Sequence, residues 1–235
     1  MKTKSTSSNK KPATGNQRPA TSNESKRSED PNVAGQQPLS FHPLTPDRWR
    51  DVETLFGERG ACGGCWCMWW RLQRSQFNQQ KGEKNKRAFK KIVAAGEIPG
   101  IIAYVDGQPV GWCALAPRET YPVLANSRIL QPVDDQPVWS VTCFFVAKPF
   151  RRRGVTVALL RAAVEHAAKH GAKIVEGYPM EPKQGKVADA FVWFGLASAF
   201  RQAGFVEVLR RSETRPIMRI SSQKDKKQKR NAVGK

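Results

Sequence analysis

A nearly continuous apolar run, Val138 to Val146, stands directly before a short basic stretch and an amphipathic segment. An apolar run of this length, rich in β-branched and aromatic residues, predicts a buried strand. Apolar residues recur at helical spacing in residues 154–170, among them Val155, Leu159 and Ala163. Gly171 follows them, so the pattern predicts a helix that ends before this glycine.

The chain from Leu39 to Ile220 predicts further elements in a mixed order. The predicted strands are 39–42, 101–105, 109–116, 138–146, 173–178, 205–210 and 216–220, and the predicted helices are 46–56, 84–95, 154–170 and 190–203. Asp106-Gly107 is a hairpin signal between two strands, and 117–137 predicts a loop. The order predicts an α/β (or α+β) fold with a mixed central sheet and helices on both faces.

The last predicted helix, 190–203, depends on four apolar residues at helical spacing: Trp193, Leu196, Ala197 and Phe200. Gly204 follows and is expected to adopt the left-handed conformation that ends many helices. Phe205 is then expected to pack back on Phe200.

Both ends of the chain differ in composition from the middle. Residues 1–38 are rich in small polar residues, lysine and proline and contain almost no large apolar side chains, which predicts disorder. Residues 221–235 predict the same, and Lys226 to Arg230 is similar to a nuclear-import signal or a nucleic-acid-contacting tail. A solvated, solubilising end is the alternative. The predicted organisation is one domain over 39–220 between two disordered basic tails.

The formal net charge of the 235 residues is +20, of which the first 38 residues carry +4 and the last 15 carry +5. The middle of the chain therefore carries +11, and the basic character is not confined to the tails. A basic domain suits a phosphate-rich ligand, either a small cofactor or a nucleic acid, and the charge alone does not choose between them.

No apolar run approaches the roughly 20 residues that span a bilayer, and no secretory signal follows the N-terminal lysines. A cytoplasmic location without a membrane partner is therefore expected. Three of the five cysteines cluster as Cys62, Cys65 and Cys67, without the second cluster or histidines of a zinc site, so no metal is predicted. Cys113 and Cys143 lie in apolar runs and are expected to fill core positions.

A buried strand, a basic glycine-containing turn and a helix N-terminus together predict a pocket for a polyanion. The turn is Lys148 to Gly154, and the helix follows it directly. Unpaired amides and the positive end of the helix dipole both point toward such a turn. The sequence therefore indicates where a phosphate-bearing ligand binds.

These residues resemble the GNAT superfamily of acyl-CoA N-acyltransferases. The family's motif, Arg/Gln-x-x-Gly-x-Gly/Ala at a helix start, matches Arg151-Arg152-Arg153-Gly154-Val155-Thr156, and Phe200 to Phe205 is similar to a second family element. The order of elements also matches, over about 39–220. Thr156 departs from the usual small residue, and Phe200 stands where many members have a tyrosine that protonates the leaving thiolate.

The resemblance implies a mixed, mostly antiparallel sheet of about six or seven strands and acetyl-CoA as the acyl donor. The amides of Arg152 to Thr156, including those of Arg153, Gly154 and Val155, would bind the pyrophosphate. The side chains of Arg151, Arg152 and Arg153 would add positive potential, or are simply solvated. The pantetheine arm would lie along Phe144, Phe145 and Val146, and an amide near Phe144 or Phe145 would stabilise the oxyanion.

The implied reaction is direct attack of a primary amine on the thioester in a ternary complex, which needs a base and an acid. Glu176 and Glu119 are candidates for the base, and Tyr178 is a candidate for the acid. Structural roles for Glu176 and Tyr178 are the alternative. Cys143 as an acyl-carrying nucleophile is disfavoured, because no histidine is near it in sequence.

The acceptor site is expected to be lined by residues 62–71 and Trp112, where tryptophans form either an apolar pocket or a packed core. Small amines, amino acids, peptide N-termini and lysines all remain open as acceptors, and the oligomeric state is unspecified. Two other functions stay open. One is a basic nucleic-acid or ribosome-associated protein, with weak contacts through its tails. The other is an acyl-CoA-binding homologue without activity, which the phenylalanine at position 200 favours.

Overall fold

The computed structural model describes residues 38–183 and 192–222. The disorder predicted for the two tails lies outside these ranges, apart from residues 38, 221 and 222. Within the described ranges, no helix is both long enough and apolar enough to cross a membrane.

The described residues form one sheet of seven strands in the order β1-β2-β3-β4-β5-β7-β6. The strands are β1 (Leu39–Pro43), β2 (Gly100–Val105), β3 (Gln108–Pro117), β4 (Trp139–Val146), β5 (Ile174–Gly177), β6 (Val206–Arg210) and β7 (Pro216–Ser221). Every pairing is antiparallel except that between β4 and β5. The predicted α/β fold with a mostly antiparallel sheet is therefore confirmed.

The hairpin between β2 and β3 turns at Asp106-Gly107, as predicted. Both residues have positive φ, +48° for Asp106 and +76° for Gly107. Two left-handed residues in succession match the twist of the flanking strands, which explains why Asp-Gly suits this turn. The hairpin sets the register of β3, and β3 in turn positions β4.

The parallel pairing between β4 and β5 covers only three residue pairs, from Trp139 opposite Val175 to Val141 opposite Gly177. Beyond Val141 the rest of β4 has no partner strand on that side among the described residues, although it stays paired with β3 up to Val146. A cleft therefore opens in the middle of the sheet. Unpaired strand edges offer donors and acceptors to an extended ligand.

Helices cover both faces of the sheet: α1 (Trp49–Phe56), α2 (Arg74–Gln80), α3 (Glu83–Ala94), α4 (Pro122–Ala125), α5 (Val155–Lys169) and α6 (Ala197–Gln202). Successive residues of β3 point to opposite faces. Trp112 packs with Phe56 and Phe89 of α1 and α3, whereas Cys113 belongs to the core beneath α5.

The predicted helix 190–203 is wrong over residues 192–196, and residues 190 and 191 lie outside the described ranges. Within the described residues, helix α6 starts only at Ala197, because Gly195 has a φ of +80° and Leu196 is extended. Trp193 therefore lies before the helix, although its spacing fits the helical pattern. The end of the helix is as predicted: Gly204 is left-handed, and the rings of Phe205 and Phe200 lie 5.0 Å apart.

Two further elements were not predicted. Helix α2 lies in a polar stretch with only one buried residue, Phe77, so its periodicity is weak. Helix α4, a single turn, interrupts the region 117–137, which was predicted to be a loop.

Candidate active site

The turn between β4 and α5 contains two residues in the left-handed backbone conformation. After one 3-10 turn (Lys148–Phe150), Arg151 is extended, and Arg152 and Gly154 have positive φ of +62° and +76°. Left-handed residues close to right-handed ones orient neighbouring amides toward one point and so create an anion-binding concavity. A Cβ atom at Gly154 would meet no atom within 4 Å, so the glycine is needed for its conformation.

The last amides of this turn, from Arg152 onward, have no backbone acceptor among the described residues. No backbone carbonyl of the described residues accepts a hydrogen bond from the amides of Arg152 through Thr156, and the first bond of α5 runs from Ala158 to Gly154. The first amides of any helix lack intrahelical partners and carry the positive end of its dipole. The turn therefore offers unpaired, converging donors to an anion.

The three arginines of the turn behave differently. All are exposed, but Arg151 donates from Nε to the carbonyl of Val146 at 3.0 Å, at the end of β4. The guanidinium of Arg153 lies 5.9 Å from the centre of the Phe150 ring. Arg152 lines the cavity described below together with Gly154, Val155 and Thr156.

Main-chain groups of β4 alternate in direction, so only every second residue faces the cleft. The amide of Ala147, just past the strand, donates to the carbonyl of Val110 on the β3 side. The amide of Phe144 donates in the other direction, to the carbonyl of Trp193 at 2.6 Å. The main-chain groups of Phe144 and Val146 therefore face the cleft, whereas the geometry does not support a role for the Phe145 amide.

The contact with Trp193 corrects one expectation, because the Phe144 amide is not free. Segment 193–197 enters the mouth of the cleft, where Met180 pairs with Leu196 and the amide of Ala197 donates to the carbonyl of Met180. The amide of Val146, farther along β4, has no acceptor among the described backbone carbonyls.

One cavity of about 1070 Å³ connects the basic turn with the region before α2. At one end it is lined by Phe144, Phe145, Val146 and the turn residues, and at the other by Cys62, Cys65, Cys67, Trp69, Phe77, Lys81, Trp112 and Cys143. Residues 62–71 and Trp112 were predicted to line the acceptor side. Of these, the residues that line the cavity include Cys62, Cys65, Cys67, Trp69 and Trp112. The cavity has room for an extended donor and a small acceptor together.

The wall formed by residues 60–67 has an unusual backbone. Ala61, Trp66 and Cys67 have positive φ of 69°, 45° and 58°, a conformation that non-glycine residues rarely adopt. Trp66 is held by stacking on Trp49 at 6.1 Å and by contact with Phe56. Strain of this kind persists only where surrounding packing enforces it, and it is frequent at functional sites.

Glu176 lies at the centre of a buried polar network. It is fully buried, its Oε1 accepts hydrogen bonds from Arg118 and Tyr178, and its Oε2 accepts one from Arg219 at 2.7 Å. A carboxylate held by two guanidinium groups and a phenol is already satisfied and has no access to a substrate proton. Glu176 is not among the residues that line the cavity. This geometry supports the structural alternative over the predicted role as base.

Tyr178 and Glu119 also lie apart from the cavity lining. The hydroxyl of Tyr178 contacts Arg118, Glu176 and Ser140. Burial, and then the charge of Glu176, raise the pKa of Tyr178 well above its usual value. Glu119 is exposed in the 3-10 turn after β3. The structure thus brings Glu176 and Tyr178 together, but it brings neither to the predicted donor-binding residues.

Sequence reasoning missed the environment of Cys67. Its sulfur accepts a hydrogen bond from Nε1 of Trp112 at 3.1 Å, and it lies on the cavity wall with Cys143 from β4. The close spacing of Cys62, Cys65 and Cys67 in the sequence stood out, but it was considered only as a possible metal site. Within the described ranges, no group of three potential ligands is arranged to hold a metal ion.

Comparison with known structures gives the same fold. A GNAT-family acetyltransferase from Listeria monocytogenes is 7% identical over 80% of this chain and 98% of that chain, with a TM-score of 0.50. One from Streptococcus agalactiae is 12% identical over 79% of this chain and 96% of the other, with a TM-score of 0.49. The PaiA N-acetyltransferase from Thermoplasma acidophilum, in complex with coenzyme A, is 12% identical over 78% and 99%, with a TM-score of 0.45.

No curated protein sequence matches this chain significantly. The model of the acetyltransferase (GNAT) family matches residues 66–182, about half of the chain. This stretch contains the strands β2 to β5, the cleft between β4 and β5 and the basic turn. The chain belongs to the GNAT family of acetyltransferases.

Proposed function

We propose that this protein transfers an acetyl group from acetyl-CoA to a primary amine by direct attack in a ternary complex. The observation that carries the proposal is the row of unpaired amides from Arg152 to Thr156 at the N-terminus of α5. These amides, with the side chain of Arg152, would hold the diphosphate of coenzyme A. The donor supplies an activated acyl carbon, and the chain's own groups bind and orient it.

The cleft-facing groups of β4 would hold the pantetheine arm. Val146 has an unpaired amide on that side, and the amide of Phe144 becomes available if the Trp193 carbonyl moves away. A main-chain donor directed at the thioester oxygen would stabilise the negative charge that develops there. The acyl carbon would then lie near the four cysteines on the cavity wall.

The charge of the cavity supports a choice among acceptors. Its described lining includes Lys81, Arg151 and Arg152 and no carboxylate. Lys81 is exposed and has no ion-pair partner among the described residues. Such a site repels polyamines and lysine-rich peptides and favours an acceptor without additional positive charge.

The aromatic side chains of the same wall favour an apolar flank on the acceptor. Trp69, Phe77 and Trp112 line the cavity beside the cysteines. Aromatic walls gain free energy by burying flat apolar groups. We therefore propose an acceptor with a primary amine next to an aromatic or large apolar group, neutral or carrying a carboxylate that pairs with Lys81.

Two measurements test the proposal. Coenzyme A should stabilise the protein by about 2.7 kcal/mol at 100 times its dissociation constant, seen as a rise in melting temperature. With acetyl-CoA, mass spectrometry should detect acetylation of phenylalanine or tryptamine in preference to lysine or spermidine. Absence of stabilisation by coenzyme A would exclude the donor site, and a preference for spermidine would exclude the proposed acceptor class.

A charge reversal sharpens the acceptor test. Lys81→Glu should raise the KM for phenylalanine by about 2- to 5-fold, as expected for an exposed charge pair, and leave that for tryptamine nearly unchanged. Lys81→Gln is the matched control, since it removes the charge without reversing it. Equal effects on both acceptors would show that Lys81 does not contact a carboxylate.

A further inference from the structure

Trp193 contributes a main-chain carbonyl to the mouth of the cleft, where it accepts the hydrogen bond of the Phe144 amide at 2.6 Å. In the proposed function, this amide is one of the donors available to the thioester oxygen. We propose that the Trp193 carbonyl exchanges the Phe144 amide for the acceptor amine when the donor binds, and that it then orients this amine toward the acyl carbon. The inference rests on the proposed function, because it concerns the acceptor of that reaction.

The exchange keeps both main-chain groups satisfied. When the thioester oxygen accepts the hydrogen bond of the Phe144 amide, the Trp193 carbonyl loses its donor, and a polar group left without a partner away from water is costly. A primary amine has N–H groups to supply the missing bond. In the tetrahedral intermediate, the oxygen and the attacking nitrogen are bound to the same carbon and lie side by side. They therefore match an amide donor and a carbonyl acceptor that are neighbours in space.

The other hydrogen-bond acceptors of the cavity are less suited to the amine. The described lining contains no carboxylate and no histidine. The carbonyl of Val146 already accepts a hydrogen bond from Nε of Arg151 at 3.0 Å, and the carbonyl of Phe144 accepts one from the thiol of Cys143 at 3.8 Å. The Trp193 carbonyl differs from both, because binding of the donor itself releases it.

The segment that carries the carbonyl is held in place by contacts other than the one to β4. The amide of Met180 donates to the carbonyl of Gly195 at 2.9 Å. The rings of Trp193 and Phe194 stack at 3.5 Å, and the guanidinium of Arg215 lies 3.5 Å from the centre of the Phe194 ring. These contacts favour a small separation of the carbonyl from the Phe144 amide over departure of the whole segment.

The ring of Trp193 places the carbonyl next to the aromatic wall of the cavity. Trp193 and Trp69 both line the cavity, and their rings lie 5.8 Å apart in an edge-to-face arrangement. The proposed acceptor carries its amine next to an aromatic or large apolar group, which gains free energy by packing on such a wall. An acceptor bound there has its amine at the mouth of the cleft, where the carbonyl can receive it.

The carbonyl orients the amine and does not take its proton. The neutral amine nitrogen forms its bond to the acyl carbon, and the bond between this carbon and the sulfur of coenzyme A breaks. The nitrogen loses one proton and the departing sulfur gains one, with water as the carrier, so no proton is gained or lost overall. Orientation of the attacking group alone accelerates such a step.

Selective labelling resolves both main-chain groups in the full-length protein. Trp193-Phe194 is the one Trp-Phe pair of the sequence, and Cys143-Phe144 is the one Cys-Phe pair. Protein that contains carbonyl-13C tryptophan and cysteine together with 15N phenylalanine therefore gives assigned NMR signals for the Trp193 carbonyl and the Phe144 amide.

Four probes separate the steps. Coenzyme A lacks the acyl oxygen. The carba analogue of acetyl-CoA, in which a methylene group replaces the thioester sulfur, has this oxygen and cannot transfer the acyl group. Tryptamine supplies the amine, and 3-ethylindole is its matched control, since it has the same ring system and no amine.

We expect the amide signal of Phe144 to move when the carba analogue binds and to stay in place with coenzyme A. The carbonyl signal of Trp193 should move upfield with the analogue, as for loss of a hydrogen bond, and return when tryptamine is added but not when 3-ethylindole is added. A Phe144 signal that the bound analogue leaves unchanged, or a Trp193 signal that saturating tryptamine leaves unchanged, would overturn the exchange. If neither coenzyme A nor the analogue raised the melting temperature, the proposed function itself would fail.

A pair of variants tests the consequence for turnover. Trp193→Ala keeps the carbonyl but removes the ring that anchors it, so kcat with acetyl-CoA and tryptamine should fall about 10-fold while coenzyme A affinity is kept. Trp193→Phe retains an aromatic anchor and should recover most of the lost kcat. A kcat of Trp193→Ala equal to that of the wild type would show that this segment does not orient the amine.

Discussion

The amide of Phe144 donates a hydrogen bond to the carbonyl of Trp193 at 2.6 Å, across the mouth of the cleft in the sheet. The residues that follow explain why the chain can approach so closely. Gly195 is left-handed, and a Cβ atom on it would lie 2.9 Å from the Phe200 ring and 3.0 Å from the Phe144 ring. The small residue at 195 therefore permits the contact between the segment and β4.

We expect Gly195→Ala to destabilise the fold by about 2–3 kcal/mol, through backbone strain and overpacking. Gly96→Ala is the matched control, because Gly96 has a φ of +86° and open space around it. It should cost only about 1 kcal/mol, from the backbone alone. The measurement is urea unfolding of both variants, and equal losses would show that the rings near Gly195 yield without cost.

We expect Gly154→Asp to raise the dissociation constant of coenzyme A by about 10-fold or more, because it places a carboxylate beside the proposed diphosphate site. Titration calorimetry with coenzyme A measures this directly. Gly171→Asp is the control, since Gly171 also has a positive φ (+81°) and open surroundings, at the far end of α5. If both variants bound coenzyme A like the wild type, the diphosphate would lie elsewhere.

We expect Glu176→Gln to destabilise the protein by about 3 kcal/mol, because Arg118 and Arg219 would lose the charge that they share. Chemical denaturation measures the loss, and coenzyme A affinity should not change in the folded fraction. A variant of normal stability with a greatly reduced kcat would return Glu176 to the role of base.

We expect Tyr178→Phe to cost about 1–2 kcal/mol of stability, since it removes a buried hydroxyl that bridges Ser140 and Glu176. Its kcat should stay within about 2-fold of the wild type, because the hydroxyl serves the network and not the substrate. Slow turnover in a variant of unchanged melting temperature would contradict this view.

We expect stability to fall as the pH is lowered from 6.5 to 4, partly because of His166. Burial, and then the neighbouring His170, lower the pKa of His166 to about 4. Between these pH values the unfolded chain binds a proton at this position and the folded chain does not, so acid favours unfolding.

The contribution of His166 should be about 1–2 kcal/mol, because solvent at its partly exposed ring reduces the penalty. His166→Gln should flatten the pH dependence of urea unfolding over this window. His170→Gln is the comparison, and a steeper pH dependence in His166→Gln than in the wild type would refute the assignment.

Elements with a strong local pattern could be predicted from the sequence. The apolar run of β4, the basic turn and α5 were placed within one or two residues, because burial and the turn residues leave few alternatives. The start of α6 could not be predicted, since Trp193 has the correct spacing while the backbone at Gly195 excludes a helix. Spacing reports where side chains could meet and does not report the φ angle of one glycine.

The unpaired amides of the basic turn could be predicted from the sequence, whereas the buried polar network could not. Main-chain amides at a helix N-terminus follow from local structure, so the residues from 152 to 156 could be named in advance. The partners of Glu176 could not, because Arg118 and Arg219 lie 58 and 43 positions away in the chain. The hydrogen bond from Trp112 to the sulfur of Cys67, 45 positions away, is likewise a product of tertiary packing, which residue order does not contain.

The meeting of β4 and β5 in only three residue pairs has a consequence for the protein in the cell. Among the described strands, this is the shortest pairing, and it joins the two halves of the sheet beside the proposed donor. Loss of the donor should then weaken this strand pairing and make the chain easier to cleave by proteases. The supply of acetyl-CoA would thereby influence how long each molecule survives.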